Sequence, residues 1–135
     1  FLLFGFIKFA AVVASAQEID RGERIRSLEI GYITKHVQLT PGEAEKFWPV
    51  FNKYRQELKA VAVDNSIKEE LDRQQKVLDI RKKYKKDFTA ILNADRAQQV
   101  FEAEDRFKVL VKKELQKRAR ARQGGGDAEK SGNNK

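Results

Sequence analysis

The sequence predicts an all-α protein of three to four long amphipathic helices, arranged as an elongated, bent hairpin and completed by dimerisation. Charged residues make up 36% of the 135 residues. Apolar residues recur among them at spacings of three and four, a combination typical of long exposed helices. No stretch shows the alternation of a strand, and the chain has two prolines, so few breaks interrupt the helical pattern.

The clearest helix start lies at Thr40–Glu43. Thr40 is a good N-cap, Pro41 suits the first helical position, and Glu43 completes a T-x-x-E capping box. A dense apolar stripe follows at helical spacing: Ala44, Phe47, Trp48, Phe51, Tyr54, Leu58 and Val61. We therefore predict a helix over residues 41–62, with a bend at Pro49.

Three further helices are predicted around this one. A first helix covers residues 24–37, and a third covers 67–92, beginning at an S-x-x-E capping box (Ser66–Glu69). A continuous helix through Asp64 is the alternative at that boundary. Asn93 is a good N-cap for a fourth helix, which is expected to stop at the triple glycine after Gln123. Glu104 falls on the apolar side of this helix, so it should have a basic partner, face an oligomer interface or sit at the edge of the stripe.

Residues 1–16 are apolar apart from Lys8 and Ser15 and end in Ala14-Ser15-Ala16. An apolar run that closes on A-x-A is typical of a signal peptide, here interpreted as truncated because a basic n-region and an initiator Met are missing. A short membrane anchor is the alternative, although sixteen residues are fewer than the roughly 20 that span a bilayer as a helix. The predicted organisation is a signal peptide (1–16), a helical domain (17–122) and a disordered polar tail (123–135).

The residue types argue against an enzyme. No nucleophile, base and orienting group occur in a recognisable arrangement, and the glycines of the tail lack a P-loop lysine and a preceding strand. With one His and no Cys or Met, a transition-metal site is not expected, and no acidic loop resembles a calcium site. We predict no cofactor and no metal.

The formal net charge of +8 favours acidic partners. Two basic clusters are the candidate client- or partner-binding residues: Arg81, Lys82, Lys83, Lys85 and Lys86 in the third helix, and Lys112, Lys113, Lys117 and Arg118 in the fourth. Ordinary solvated helix faces are the plainer interpretation. Nucleic-acid binding would also suit the arginine-rich end of the fourth helix, but the predicted export of the chain argues against it.

Two helix starts follow a leucine-led turn, Leu39-Thr40-Pro41-Gly42-Glu43 and Leu92-Asn93-Ala94-Asp95-Arg96. A small, basic, exported helical chain with two such starts resembles the Spy/CpxP family of periplasmic proteins, which carries an L-T-x-x-Q motif twice. The motif positions here are Leu39, Thr40, Glu43, Leu92, Asn93 and Arg96. Glu43 replaces the usual Gln in the first copy, and Asn93 and Arg96 replace Thr and Gln in the second. The segment from Thr40 to Tyr54 also resembles envelope sensors of the Bacteroidetes type that are linked to sigma factors.

The resemblance implies an antiparallel periplasmic homodimer that binds unfolded or misfolded envelope proteins without ATP. The alternative that it implies is an accessory or sensor that docks on the periplasmic domain of a membrane stress regulator. Neither reading involves nucleic acid or stable membrane insertion after signal removal.

Overall fold

The computed structural model describes the backbone from Gly5 to Ser131 and the side chains of residues 17–124. Four α-helices make up nearly all of this part of the chain: α1 (Gly5–Val37), α2 (Pro41–Val63), α3 (Glu70–Ile91) and α4 (Ala94–Ser131). Within that range no strand occurs. The all-α prediction with four helices is therefore confirmed.

The helices contribute to two compact units. The central unit, Ile33–Ala103, holds the end of α1, all of α2 and α3, and the start of α4. The terminal unit holds the described part of the chain up to Tyr32 and from Glu104 onward. Each unit is described separately below.

The aromatic stripe of α2 forms the core of the central unit. Phe47, Phe51 and Tyr54 are at most 1% exposed because α3 runs antiparallel to α2 and supplies Tyr84 and Phe88. The ring centroids of Phe47 and Phe88 are 5.1 Å apart, and those of Tyr54 and Tyr84 are 5.4 Å apart. These three aromatics of α2 are thus buried within one chain, and a second chain is not needed to cover them.

The second helix lies within one residue of its predicted bounds and continues through Pro49, while the predicted bend there stays a prediction. The predicted capping box at Ser66 is wrong, because α3 begins only at Glu70 and its N-cap, Glu69, makes no side-chain cap bond. Ser66 instead donates from both its backbone N–H and its hydroxyl to the Asp64 carboxylate, at 2.9 and 2.6 Å. This local turn ends α2 at Val63, so the alternative of a continuous helix is also wrong.

Arg73 holds the connection between α2 and α3. Its guanidinium donates to the carbonyl oxygens of Val61, Asp64 (3.1 Å) and Ile67 (3.0 Å). One side chain thereby satisfies acceptors at the end of α2 and along the following loop, which would otherwise need water or a cap residue.

Helix α4 differs from its prediction at the C-terminal end, since it runs through the triple glycine to Ser131. Glycine adopts helical angles at a cost of about 1 kcal/mol relative to alanine, so it weakens a helix without having to end it.

The end of the predicted disordered tail, after Ser131, lies outside the described residues. The signal-peptide segment, residues 1–16, has described backbone only from Gly5 and no described side chains, so that assignment stays a prediction.

Candidate functional site

The two motif copies both act as helix caps. The backbone N–H of Thr40 donates to Glu43 Oε2 at 3.0 Å, and the N–H of Glu43 donates to Thr40 Oγ1 at 3.2 Å, which is the predicted reciprocal capping box. In the second copy, the N–H of Arg96 donates to Asn93 Oδ1 at 2.8 Å. The predicted starts of α2 and α4 are confirmed, because these bonds supply acceptors for N–H groups that lack a partner within the helix.

Arg96 joins the two copies. Its Nη1 and Nη2 donate to Glu43 Oε1 and Oε2 at 2.6 and 2.7 Å, a two-point ion pair between the last positions of the two motifs. Arg96 Nη2 also donates to the carbonyl oxygens of Val37 (3.1 Å) and Gln38 (2.8 Å). Gln38 ends α1 with a φ of 56°, the left-handed conformation that often follows a helix. One guanidinium therefore fastens the end of α1 and the starts of α2 and α4 together.

The ion pair changes the acidity of Glu43. Hydrogen bonding from Arg96 and then from the backbone N–H of Thr40 lowers the pKa of Glu43 to about 2. Because the folded pKa lies below the ordinary value of 4.5, the carboxylate stabilises the fold fully above pH 4.5, and this contribution is lost as the pH falls towards 2.

A Glu43→Gln variant should therefore be less stable than the parent chain at pH 7, and the difference should shrink between pH 4.5 and 2. Urea unfolding of both chains across that range measures it. A stability difference that stays constant with pH would show that the negative charge of Glu43 does not contribute to the free energy of unfolding. Glu45→Gln, an exposed change on the same helix, is the control for the loss of one negative charge.

The predicted basic cluster of α3 lies in the central unit. Its members differ in the side chains that they contact. The Arg81 guanidinium lies 5.7 Å from the centre of the Phe101 ring, and Lys83 Nζ is 2.7 Å from Glu57 Oε1 and 5.1 Å from the centre of the Tyr84 ring. These two residues hold helices together. Exposed ammonium groups remain at three positions: Lys82, Lys85 and Lys86.

The hydrogen bonds around Glu57 give Lys83 a contact within the fold. Glu57 accepts from Lys83 and from the hydroxyl of Tyr84, both at 2.7 Å, and these bonds lower its pKa. Burial, and then donation to Glu57, raises the pKa of Tyr84 to about 12. Lys83 therefore contributes to the packing of α3 on α2, and its role in partner binding stays a prediction.

The second basic cluster lies in the terminal unit on α4. Lys112, Lys113 and Lys117 are exposed, while Arg118 Nε donates to Glu114 Oε1 at 2.8 Å. Glu104, further towards the start of α4, is 3% exposed and pairs with Lys108 at 2.9 Å. Of the three environments expected for Glu104, a basic partner is the one observed.

The terminal unit contains a groove that the sequence did not predict. It lies between α1 and α4, has a volume of about 640 Å³, and is lined by seven apolar and seven polar or charged residues. Three of its leucines are unusually exposed: Leu28 (64%), Leu110 (49%) and Leu115 (46%). Among the residues of this unit whose side chains are described, only Glu29, Glu104 and Phe107 are buried. The described side chains of the terminal unit are therefore mostly exposed beside an open groove.

Arginines flank this groove on both helices. Arg24 and Arg118 line it as partners in i,i+4 ion pairs with Asp20 and Glu114. Arg21 and Arg122 line it as well. The lining thus combines leucine side chains with an excess of positive charge, a surface that suits an acidic segment carrying apolar residues.

The described residues contain no group of three or more His, Cys, Asp or Glu side chains placed to hold a metal ion. Of the helices searched over that part of the chain, none is long and apolar enough to cross a membrane. Comparison with known proteins gave no matching family model, curated protein or solved structure.

Proposed function

We propose that this protein is an exported, ATP-independent chaperone that holds unfolded or misfolded envelope proteins, and that it is a member of the Spy/CpxP family. The observation that carries the proposal is the open groove of the terminal unit, where exposed leucines lie beside arginines. A folded protein that keeps large apolar side chains exposed in a groove commonly uses them to contact a partner. Three leucines that are 46% to 64% exposed provide a modest apolar area, which favours weak and reversible capture.

The positive lining gives the groove a preference for acidic chains. Opposite charge accelerates encounter and depends on ionic strength. The sequence placed binding on the basic clusters, but among those residues only Arg118 lines the groove. In the proposal, Arg118 and its arginine neighbours attract the client, and the leucines hold it.

Aggregation of a chemically denatured acidic client, diluted into buffer without nucleotide, tests the proposal. We expect the full chain to suppress light scattering, and a Leu28→Ser/Leu115→Ser variant to lose at least about fivefold in potency, since each exposed apolar side chain that covers a client contributes on the order of 1 kcal/mol. Leu71→Ser is the matched control, because Leu71 is 77% exposed but lies on α3 in the central unit.

Two results would contradict the proposal. Equal suppression by the parent chain and the double variant would exclude the groove as the holding site, and no suppression by the parent chain at severalfold excess would exclude the chaperone. If client capture were unchanged in several hundred millimolar salt, attraction between the arginines and an acidic client would not contribute to binding. Capture of one stoichiometric envelope protein, in place of many weak ones, would favour the accessory that docks on a stress regulator.

A further inference from the structure

Helix α4 carries a second surface, which the proposed chaperone function does not use. Six exposed residues recur at spacings of three and four along one face of the helix, and we name this face the lysine stripe: Val109, Lys112, Lys113, Gln116, Lys117 and Arg120. Four of the six positions are basic and none is acidic. None of the six lines the groove between α1 and α4.

We propose that the lysine stripe binds the surface of an anionic phospholipid membrane. Its charges project from one helix face, and the distance along the helix from Lys112 to Arg120 is about 12 Å at a rise of 1.5 Å per residue. A row of lysines on a helix face is the arrangement that lies along a negatively charged bilayer, where basic residues attract lipid headgroups without needing a shaped pocket.

The sequence at the N-terminus supports a membrane over other polyanions. The apolar segment 1–16 overlaps the start of α1 (Gly5–Val37), and the first part of this helix belongs to the same terminal unit as the lysine stripe. An apolar segment and a polybasic patch are the two signals that together give stable attachment to a membrane surface. The stripe can bind headgroups by itself, and the two signals act together for as long as segment 1–16 is attached.

Nucleic acid fits the stripe less well. Proteins that bind single strands commonly pair a basic groove with aromatic rings on which bases stack. The large apolar side chains exposed in the described part of the chain are all aliphatic, and the one residue of this kind within the stripe is Val109, at 51% exposure. Charge without a stacking surface therefore favours lipid headgroups.

Sedimentation of the full chain with lipid vesicles tests the proposal. Binding to vesicles in which roughly a third of the lipid is phosphatidylglycerol, the remainder being phosphatidylcholine, should exceed binding to pure phosphatidylcholine vesicles and should fall as salt is raised. Replacing Lys112, Lys113, Lys117 and Arg120 with Gln should weaken binding to the anionic vesicles by about a hundredfold or more, since each basic residue near such a surface contributes about a fivefold factor.

A matched variant separates the stripe from net charge. Replacing Lys76, Lys82, Lys85 and Lys86 with Gln removes the same four charges from exposed positions of α3 and should leave vesicle binding within about threefold of the parent chain. Circular dichroism of both variants checks that the helices are intact. The Leu28→Ser/Leu115→Ser variant should bind vesicles normally, so failure of the chaperone proposal can be told apart from failure of this one.

Three outcomes would overturn the membrane proposal. Equal weakening in both lysine variants would mean that overall charge is responsible. Equal binding to vesicles with and without phosphatidylglycerol would mean that the apolar segment acts without the stripe. Tighter binding of a single-stranded DNA oligonucleotide than of the vesicles, compared per phosphate group, would assign the stripe to nucleic acid.

Discussion

A Phe88→Ala variant is expected to lose about 3–5 kcal/mol in the free energy of unfolding, the range for removing a fully buried phenylalanine ring. Phe88 has no exposed surface, and its ring lies among those of Phe47, Tyr54 and Phe101, with centroid distances of 5.1, 5.8 and 5.7 Å. These rings come from α2 and α4, so the cavity would open where α3 joins both helices. Urea unfolding followed by circular dichroism measures the loss.

Two companion variants make this test decisive. Phe88→Leu keeps most of the volume and should lose less than about 1.5 kcal/mol, so it remains measurable if Phe88→Ala does not fold. Trp48→Ala removes a larger side chain, but one that is only half-buried, and should lose about 1–2 kcal/mol. A loss at Trp48 equal to that at Phe88 would contradict this account of the core and would indicate that a second chain covers the indole.

Local chemistry made the helix starts predictable from the sequence. Thr40 and Glu43 are three residues apart, and so are Asn93 and Arg96, so the bonds that begin α2 and α4 need nothing from the rest of the fold. The same reasoning failed at Ser66 because Asp64, two residues earlier, offers a competing acceptor. Two local patterns of similar strength overlapped there, and sequence spacing alone does not say which one forms.

The spacing of apolar residues in the sequence could not distinguish buried core positions from exposed positions in the groove. Leu28 and Leu115 recur at the same helical spacings as Phe47 and Phe51, and spacing shows which residues share a face without showing whether another helix covers that face. The phenylalanines are covered by α3, whereas the leucines remain exposed in the terminal unit. Only contacts between helices distant in sequence distinguish these cases.

The basic residues show a similar limit. Arg81 and Lys83 belong to the same run as Lys82, yet they contact Phe101, Tyr84 and Glu57. A run of like charges gives no sign of which members will meet aromatic rings from other parts of the chain. The tie from Arg96 to Glu43 was equally hidden, since the two residues are 53 positions apart.

Replacing Arg96 with Ala should lower the free energy of unfolding by about 2–3 kcal/mol. The change would leave the carbonyl oxygens of Val37 and Gln38 and the carboxylate of Glu43 without their shared donor, and losing a hydrogen bond to a charged group costs about 1.5–3 kcal/mol. The Arg96 side chain is 23% exposed, so water can replace part of what is lost, and the expected value stays below that of a fully buried pair. Arg96→Lys should recover less than half, because an ammonium group cannot match the geometry of the guanidinium.

The double variant Glu43→Gln/Arg96→Gln measures how strongly the contributions of the two ion-pair residues depend on each other. Each single variant leaves one charged group without its oppositely charged partner, whereas the double variant removes both charges. A double-mutant cycle should therefore give a double variant that is more stable than the sum of the two single losses predicts, by about 1 kcal/mol. Strictly additive losses would mean that the two residues act independently and that Arg96 stabilises the fold only through the carbonyl oxygens at the end of α1.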